Sequence, residues 1–91
     1  MLLRLEAGGD IAALVRNANA RSLVVSISPA LDPLAMAQAR AAIGPLAVEL
    51  APARRLNAVF PTETAAAAHI DAAVEFLDQA RSTTGQLLDI A

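Results

Sequence analysis

Two short runs of this sequence, SLVVSIS at residues 22–28 and LNAVF at residues 56–60, constrain its fold more than any other feature. Both are largely apolar at consecutive positions, and the first is rich in β-branched residues. A strand with one solvated face alternates between apolar and polar residues, whereas a parallel strand covered on both faces is apolar throughout. The two runs therefore predict central strands of a parallel sheet in a protein of the α/β class.

Helical segments separate these runs from each other and from two strand-like runs at the ends of the chain. Such alternation is typical of a parallel sheet with right-handed crossovers. We therefore expect one α/β domain over residues 1–91, with three layers and four parallel strands. In chain order the predicted elements are a strand at 2–6, a helix at 10–20, a strand at 22–28, a helix at 33–51, a strand at 56–60, a helix at 64–80 and a strand at 86–90.

Local signals predict where the helices begin and where one of them bends. Asp10 and Asp32 precede the first two helices and are good N-caps, and Pro33 follows Asp32 at the first helical position, where proline is tolerated. A threonine, either Thr62 or Thr64, is the expected cap of the third helix. Since an interior proline costs about 3 kcal/mol, we expect Pro45 to bend the second helix or to split it.

Composition excludes several classes of function. The net charge is −2, aromatic residues make up 2% of the chain and cysteine is absent. A nucleic-acid partner would require a basic surface, and a disulfide, a thiolate nucleophile or a zinc–thiolate site would require cysteine. No apolar run reaches the roughly 18 residues of a membrane span, and the first residues do not form a signal peptide. All seven basic residues are arginine and alanine is abundant, so we expect a cytoplasmic bacterial protein without a nucleic-acid or membrane partner.

Four segments from about Ser22 to the C-terminus carry a family resemblance. They are ARAAIGPLAVELAP, RLNAVFPT, IDAAVEFL and TTGQLLDIA. In this order they resemble the C-terminal half of the short-chain dehydrogenases/reductases, and the resemblance implies a truncated half of a Rossmann fold.

The same resemblance shows what the chain lacks. The catalytic tyrosine of the family falls on Met36 and its lysine falls on Arg40, and the chain contains neither tyrosine nor lysine. The family's serine falls near Ser28 or Pro29, and its Pro-Gly pair is Pro61-Thr62 here. The only glycine cluster, EAGGDIAAL, lacks the spacing of a dinucleotide-binding turn. We therefore expect no catalytic residue, no cofactor, no cofactor-binding residue and no metal site.

The remaining polar residues have simpler interpretations. We expect His69 to lie on a helix surface, because no second histidine exists to share a metal ion with it. Asp71, Glu75 and Asp78 form a solvated helix face. Arg40 forms a salt bridge or binds an anion at a relic cofactor groove. Ser26 and Ser28 have no basic partner that would make either a nucleophile, and Asn57 matches a structural asparagine of the family.

The helix at 33–51 carries two opposed apolar stripes. One stripe suffices for a helix that covers a sheet, so the second predicts a contact with another chain or with the helix at 10–20. In the family the matching helix packs in a bundle between subunits. The larger stripe, assigned to the sheet, contains Met36, Ala39, Ile43, Leu46 and Leu50; the smaller one, assigned to the partner, contains Leu34, Ala41 and Val48.

These observations favour a non-catalytic module that forms a homodimer through the helix at 33–51 or binds an unidentified protein. Two alternatives stay open. One is a minimal nucleotide-binding or redox protein, and the other is a subunit that completes a dehydrogenase supplied by another chain.

Overall fold

A computed structural model describes all residues from Met1 to Ala91, and its strands and helices alternate along the chain. The strand bounds differ from the predicted ones by one residue at an end. In chain order the elements are β1 (Leu2–Leu5), α1 (Ile11–Arg16), β2 (Ser22–Ile27), α2 (Pro33–Leu50), β3 (Arg55–Pro61), α3 (Ala67–Gln79) and β4 (Leu87–Ile90).

The four strands form one sheet in the order β1-β2-β3-β4, and every neighbouring pair is parallel. The predicted α/β architecture with four parallel strands is therefore confirmed. Strands β2 and β3 lie in the centre, with Leu23 beside Leu56 and Val25 beside Ala58. Both are buried almost throughout, which is the arrangement that their continuous apolar sequence indicated.

The two faces of the sheet carry different helices. Alternate residues of β2 and β3 point to opposite faces, since the side chains of a strand have a period of two. One face packs against α1 and α2 in the main core; the other packs against α3 in a smaller core of Val24, Val59 and Leu77. The fully or nearly fully buried residues of the main core are Leu5, Val15, Leu23, Val25, Ile27, Ala39, Ile43, Leu46, Ala47, Leu50, Leu56, Ala58 and Phe60.

The position of α3 gives the third crossover an unexpected hand. Each crossover steps to the next strand in the same direction across the sheet. The first two carry their helices on one face, and the third carries its helix on the other. Changing the face while keeping the direction reverses the hand of a crossover. The prediction of right-handed crossovers throughout is therefore wrong, because the third has the opposite hand to the first two.

Helix α1 is shorter than predicted. Its N-cap is Asp10, as expected, and the Asp10 side chain accepts a hydrogen bond from the Ala13 N–H at 3.2 Å. The helix ends at Arg16 and does not continue to residue 20. The Arg54 guanidinium donates to the Val15 and Ala18 carbonyl oxygens at 3.2 and 2.7 Å, and so satisfies carbonyls that a longer helix would have used.

Helix α2 is continuous from Pro33 to Leu50, so of the two predicted outcomes at Pro45, a bend or a split, the split does not occur. The predicted cap is correct, since the Asp32 side chain accepts from the Ala35 N–H at 2.8 Å. Pro45 is exposed, and so is Gly44 before it. Buried residues on both sides of Pro45, including Ile43 and Leu46, anchor the two halves of the helix in the same core. Packing thus outweighs the loss of one backbone hydrogen bond.

Helix α3 begins later than predicted, at Ala67, and its N-cap is Ala66 without a side-chain hydrogen bond. The expectation that Thr62 or Thr64 caps this helix is therefore wrong. The two threonine hydroxyls lie 3.5 Å from each other in the connection after β3.

Candidate functional site

A cavity of about 300 Å³ lies at the carboxyl ends of the strands, where open α/β sheets commonly bind ligands. The end of β2, the end of β3, the middle of α2 and strand β4 all contribute to it. The strand ends and α2 meet here because parallel strands all end at the same edge of the sheet. The lining residues are Pro29, Met36, Arg40, Phe60, Pro61, Thr62, Glu63 and Asp89.

Arg40 is the central charged group of this cavity. Its guanidinium pairs with the carboxylate of Asp89 on β4, and it lies over the ring of Phe60 with its central carbon 4.3 Å from the ring centroid. A guanidinium over an aromatic face gains a favourable cation–π interaction. Of its two predicted roles, the structure places Arg40 in a salt bridge. The Asp89 carboxylate already occupies part of the donor capacity that an anionic ligand would need.

The other positions that the family resemblance singled out on the segment after Ser22 also lie at or near this cavity, which Pro29, Pro61 and Thr62 line. Met36 lines it and is half-buried, and its thioether has no proton to transfer. The Ser28 hydroxyl oxygen accepts a hydrogen bond from the Ala30 N–H at 3.2 Å, so it holds the turn after β2. The titratable residues of the lining are Arg40, Glu63 and Asp89, and none of these is a histidine or a lysine.

Ser26 is placed away from the cavity. It lies within β2 beside Arg4 of β1 and Val59 of β3, and its side chain is half-buried. Its alternation with Val25 and Ile27 directs it to the face that carries α3. The structure therefore separates Ser26 from Ser28, although both belong to the same strand-like run.

The acidic residues of α3 do not converge. His69, Asp71 and Glu75 are exposed on the helix surface. Asp78 accepts from the N-terminal ammonium of Met1 at 3.5 Å. Hydrogen bonding with Ser22, aided by the charge of that ammonium, lowers the pKa of Asp78. No group of three histidine, cysteine or acidic residues in the molecule is arranged to hold a metal ion.

Asn57 is the only fully buried polar side chain, and it has a structural environment. Its amide donates to the Thr83 carbonyl oxygen and its oxygen accepts from the Gln86 N–H, both at 3.0 Å. Both partners lie in the connection between α3 and β4. Asn57 thus ties this connection to the centre of the sheet, which agrees with the structural role expected from the sequence.

The glycine turn between β1 and α1 is unfavourable for a pyrophosphate. Gly8 has φ of +84°, as tight turns with glycine often do. The neighbouring cavity of about 290 Å³ is lined by the carboxylate residues Glu6 and Asp10. Asp10 also occupies the N–H of Ala13 at the start of α1. Two carboxylates at this point would repel an anionic ligand.

Two surface features were not found from the sequence. The larger is a cavity of about 800 Å³ along the outer edge of β1, between that strand and α1. The other is a cavity at the amino ends of the strands that three arginines line, namely Arg21, Arg55 and Arg81. The three arginines are far apart in the sequence, so the sequence gives no sign that they cluster. The apolar pattern of a strand also does not indicate whether that strand will lie at the edge of the sheet.

The smaller apolar stripe of α2 is exposed to solvent. Leu34 is 68% exposed and Val48 is 77% exposed, and Ala41 between them is also exposed. The larger stripe is buried against the sheet as predicted, except for Met36, which is half-buried. No helix of the molecule has the length and apolar content needed to cross a membrane.

Comparison with known proteins gives one match. A family model described as SDR-like, short chain dehydrogenase-like protein, matches residues 6–90. The match begins just after β1 and includes the glycine turn and α1 as well as the segment from Ser22 onward that carried the resemblance in the sequence. No curated protein and no solved structure matches the chain.

Proposed function

The chain belongs to the SDR-like family of short chain dehydrogenase-like proteins, and from this premise we propose that it is a non-catalytic member that acts as a homodimeric interaction module. Three residues support the absence of catalysis. Met36 and Arg40 stand where the family has its proton-transferring pair, and Arg40 is engaged with Asp89. An arginine stays protonated and cannot shift its pKa as a lysine can.

The exposed apolar stripe of α2 carries the proposal of a dimer. Leu34 and Val48 lie 14 residues apart, which corresponds to roughly 20 Å of helix, and both are more than two-thirds exposed. An apolar surface of this extent favours a protein contact over contact with water. Four of the exposed residues between them have small or apolar side chains, namely Ala37, Ala41, Gly44 and Pro45; the other two, Gln38 and Arg40, are polar.

A second copy of the chain is the occupant that fits this stripe. A two-fold interface presents the same surface twice, so one stripe on each subunit is enough. The small residues at its centre, Ala41 and Gly44, would allow two helices to approach closely. Arg16 and Glu49 form an ion pair beside Val48, so polar groups border the stripe at that end. A stable interface of this kind should bury about 1,000 Å² or more in total.

The test is the substitution Val48→Glu, with mass measured by light scattering at micromolar concentration. We expect the parent protein to be a dimer and the variant to be a monomer, because the new carboxylate would be buried without a partner. Circular dichroism should show that the variant is folded, since Val48 contacts solvent in the monomer. Leu34→Glu, at the other end of the stripe, provides an independent second variant.

The matched control is Phe76→Glu. Phe76 is 64% exposed on α3, on the opposite face of the sheet, so this variant should remain dimeric. A monomeric parent at micromolar concentration would contradict the dimer outright. A dimeric Val48→Glu protein would place the interface elsewhere.

One observation favours a second candidate, in which the chain completes a dehydrogenase fold supplied by another chain. The Met1 and Leu5 carbonyl oxygens accept hydrogen bonds from β2. By the alternation of a parallel ladder, Leu2 and Arg4 therefore direct their backbone groups to the open edge of the sheet. An added strand would pair with them, and the cavity of about 800 Å³ lies along the same edge.

Amide hydrogen exchange of the purified protein distinguishes the two candidates. In the α2 dimer the N–H groups of Leu2 and Arg4 exchange rapidly, because they face solvent. Addition of a strand from another chain protects these two amides and leaves the exposed stripe of α2 uncovered. The nucleotide-binding alternative places the ligand at the carboxyl ends of the strands, where Asp89 already pairs with Arg40, and Glu6 and Asp10 at the glycine turn also oppose it.

A further inference from the structure

A cavity of about 490 Å³ opens at the amino ends of the strands, on the opposite side of the molecule from the candidate site. Arginine residues that begin or precede β2, β3 and β4 line it, and no acidic residue does. The five lining residues are Arg21, Pro52, Ala53, Arg55 and Arg81. Three of the seven arginines in a chain of net charge −2 thus share one concave surface.

Part of this concentration of arginine has a structural cause. Helices that connect parallel strands end near the amino ends of the next strands, and their last carbonyl groups need donors. Arg54 serves the end of α1. Arg55 serves the end of α3, since it donates to the Ala80 carbonyl oxygen at 2.7 Å and to the Asp78 carbonyl oxygen at 3.1 Å.

The same explanation does not apply to Arg21 and Arg81. Both side chains are exposed and neither forms a hydrogen bond or an ion pair. The Asp78 carboxylate on α3, which lies within electrostatic range of Arg55, is paired with the N-terminal ammonium. Arg55 also keeps its Nε–H without a partner. The cavity therefore presents positive charge, and the guanidinium groups of Arg21 and Arg81 in it have no acidic partner.

We propose that this cavity is a binding site for a small phosphate-bearing anion, with Arg21 and Arg81 as the ligand-binding residues and Arg55 as a third donor at the base. Guanidinium groups bind phosphate oxygens through paired, charge-assisted hydrogen bonds. The volume exceeds that of an inorganic phosphate and lies within the usual range of small-molecule sites. The ligand is accordingly a pyrophosphate or an organic phosphate.

Isothermal titration of the protein with inorganic pyrophosphate, at constant ionic strength, tests this site. We expect saturable binding of one pyrophosphate per chain. Arg81→Gln and Arg21→Gln should each weaken it about tenfold, since each removes a charged hydrogen-bonding group. Neither side chain contacts the rest of the molecule through a hydrogen bond, so both variants should keep the melting temperature of the parent protein.

The matched control is Arg4→Gln, which removes the same charge from the exposed side of β1, away from the cavity. This variant should bind pyrophosphate as the parent does. Absence of saturable binding by the parent would overturn the proposal. Equal weakening by Arg4→Gln and Arg81→Gln would also overturn it, because the attraction would then be a general effect of charge. Binding to phosphatidic acid vesicles without binding of pyrophosphate would replace the small ligand by a membrane surface.

Discussion

At the scale of single residues, pairings between distant parts of the chain define the carboxyl end of the sheet. Arg40 on α2 is neutralised by Asp89 on β4 and lies on the Phe60 ring of β3. Asn57 fixes the connection before β4 through two hydrogen bonds. These side chains hold elements together, and both the nitrogen and the oxygen of the Asn57 amide have protein partners.

Gly85 provides a prediction at this scale. It has φ of +79°, a region that costs a residue with a side chain about 1–2 kcal/mol. A Cβ atom there would meet the Ala47 Cβ at 3.6 Å, an ordinary contact, so the backbone conformation is the main cost. We expect Gly85→Ala to lower the free energy of unfolding by about that amount, measured by urea denaturation. Gly44→Ala, in the exposed middle of α2, should instead raise it by up to about 1 kcal/mol. An unchanged stability of Gly85→Ala would contradict the turn conformation.

At the scale of elements, the helices owe their bounds to the surfaces that cover them more than to local signals. Two aspartate caps, Asp10 and Asp32, act as the sequence predicts. Helix α2 nevertheless passes through Pro45, since its core residues on both sides of the proline pack in the same core. Helix α1 is only six residues long, and its attachment to α2 includes a bidentate ion pair in which Arg16 donates to both oxygens of Glu49, at 2.8 and 2.7 Å.

The Arg16–Glu49 pair predicts a dependence of stability on pH. The hydrogen bonds from Arg16 lower the pKa of Glu49 from its ordinary value of 4.5. A group with a lowered pKa in the folded state stabilises the fold above its ordinary pKa, and this contribution disappears as the pH falls through the lowered value. Glu49→Gln should therefore have a lower denaturation midpoint than the parent at pH 7, and the two midpoints should converge in acid below pH 4.5.

Glu63→Gln is the control for this experiment, because Glu63 is exposed and forms no ion pair. Its midpoint should follow that of the parent at every pH. A difference between Glu49→Gln and the parent that persists unchanged at pH 3 would show that the ion pair does not connect α1 to α2 in solution.

At the scale of the whole molecule, the helices divide the surface into regions with different properties. Placing α1 and α2 on one face leaves the apolar stripe of α2 outward. Placing α3 on the other face covers β2, β3 and β4 and leaves β1 as an open edge. The amino ends of the strands gather unpaired arginines, and the carboxyl ends carry the neutralised Arg40–Asp89 pair. Each proposed contact therefore uses a separate part of the surface.

The whole arrangement predicts that the protein transfers no hydride. We expect no turnover above a protein-free blank with NADH or NADPH and a panel of alcohols and carbonyl compounds. General acid–base catalysis alone contributes about 10²–10⁴-fold, and neither Met36 nor Arg40 supplies it. Restoring both side chain types in Met36→Tyr/Arg40→Lys should still give no activity, because Glu6 and Asp10 remain at the glycine turn. Turnover that persists through repurification and disappears in Ser28→Ala would contradict this prediction.

The sequence by itself determined which segments form strands and helices, that the sheet is parallel, and which family the chain resembles. Burial on both faces requires apolar residues at consecutive positions of a strand. A run such as SLVVSIS therefore predicts a central strand of a parallel sheet without information from the rest of the chain. The caps Asp10 and Asp32 could also be predicted locally, because each accepts a hydrogen bond from an N–H group only three residues further along the chain.

Only the tertiary structure decided on which face α3 packs, that α2 continues through Pro45, and which charged groups meet. Arg40 and Asp89 are 49 residues apart, and Arg21, Arg55 and Arg81 come together because β2 and β3 begin, and α3 ends, at the same edge of the sheet. Such contacts depend on the order of the strands in the sheet and on the total packing energy of a helix against the core. Both depend on the whole chain, so the pattern of a single segment cannot predict these contacts.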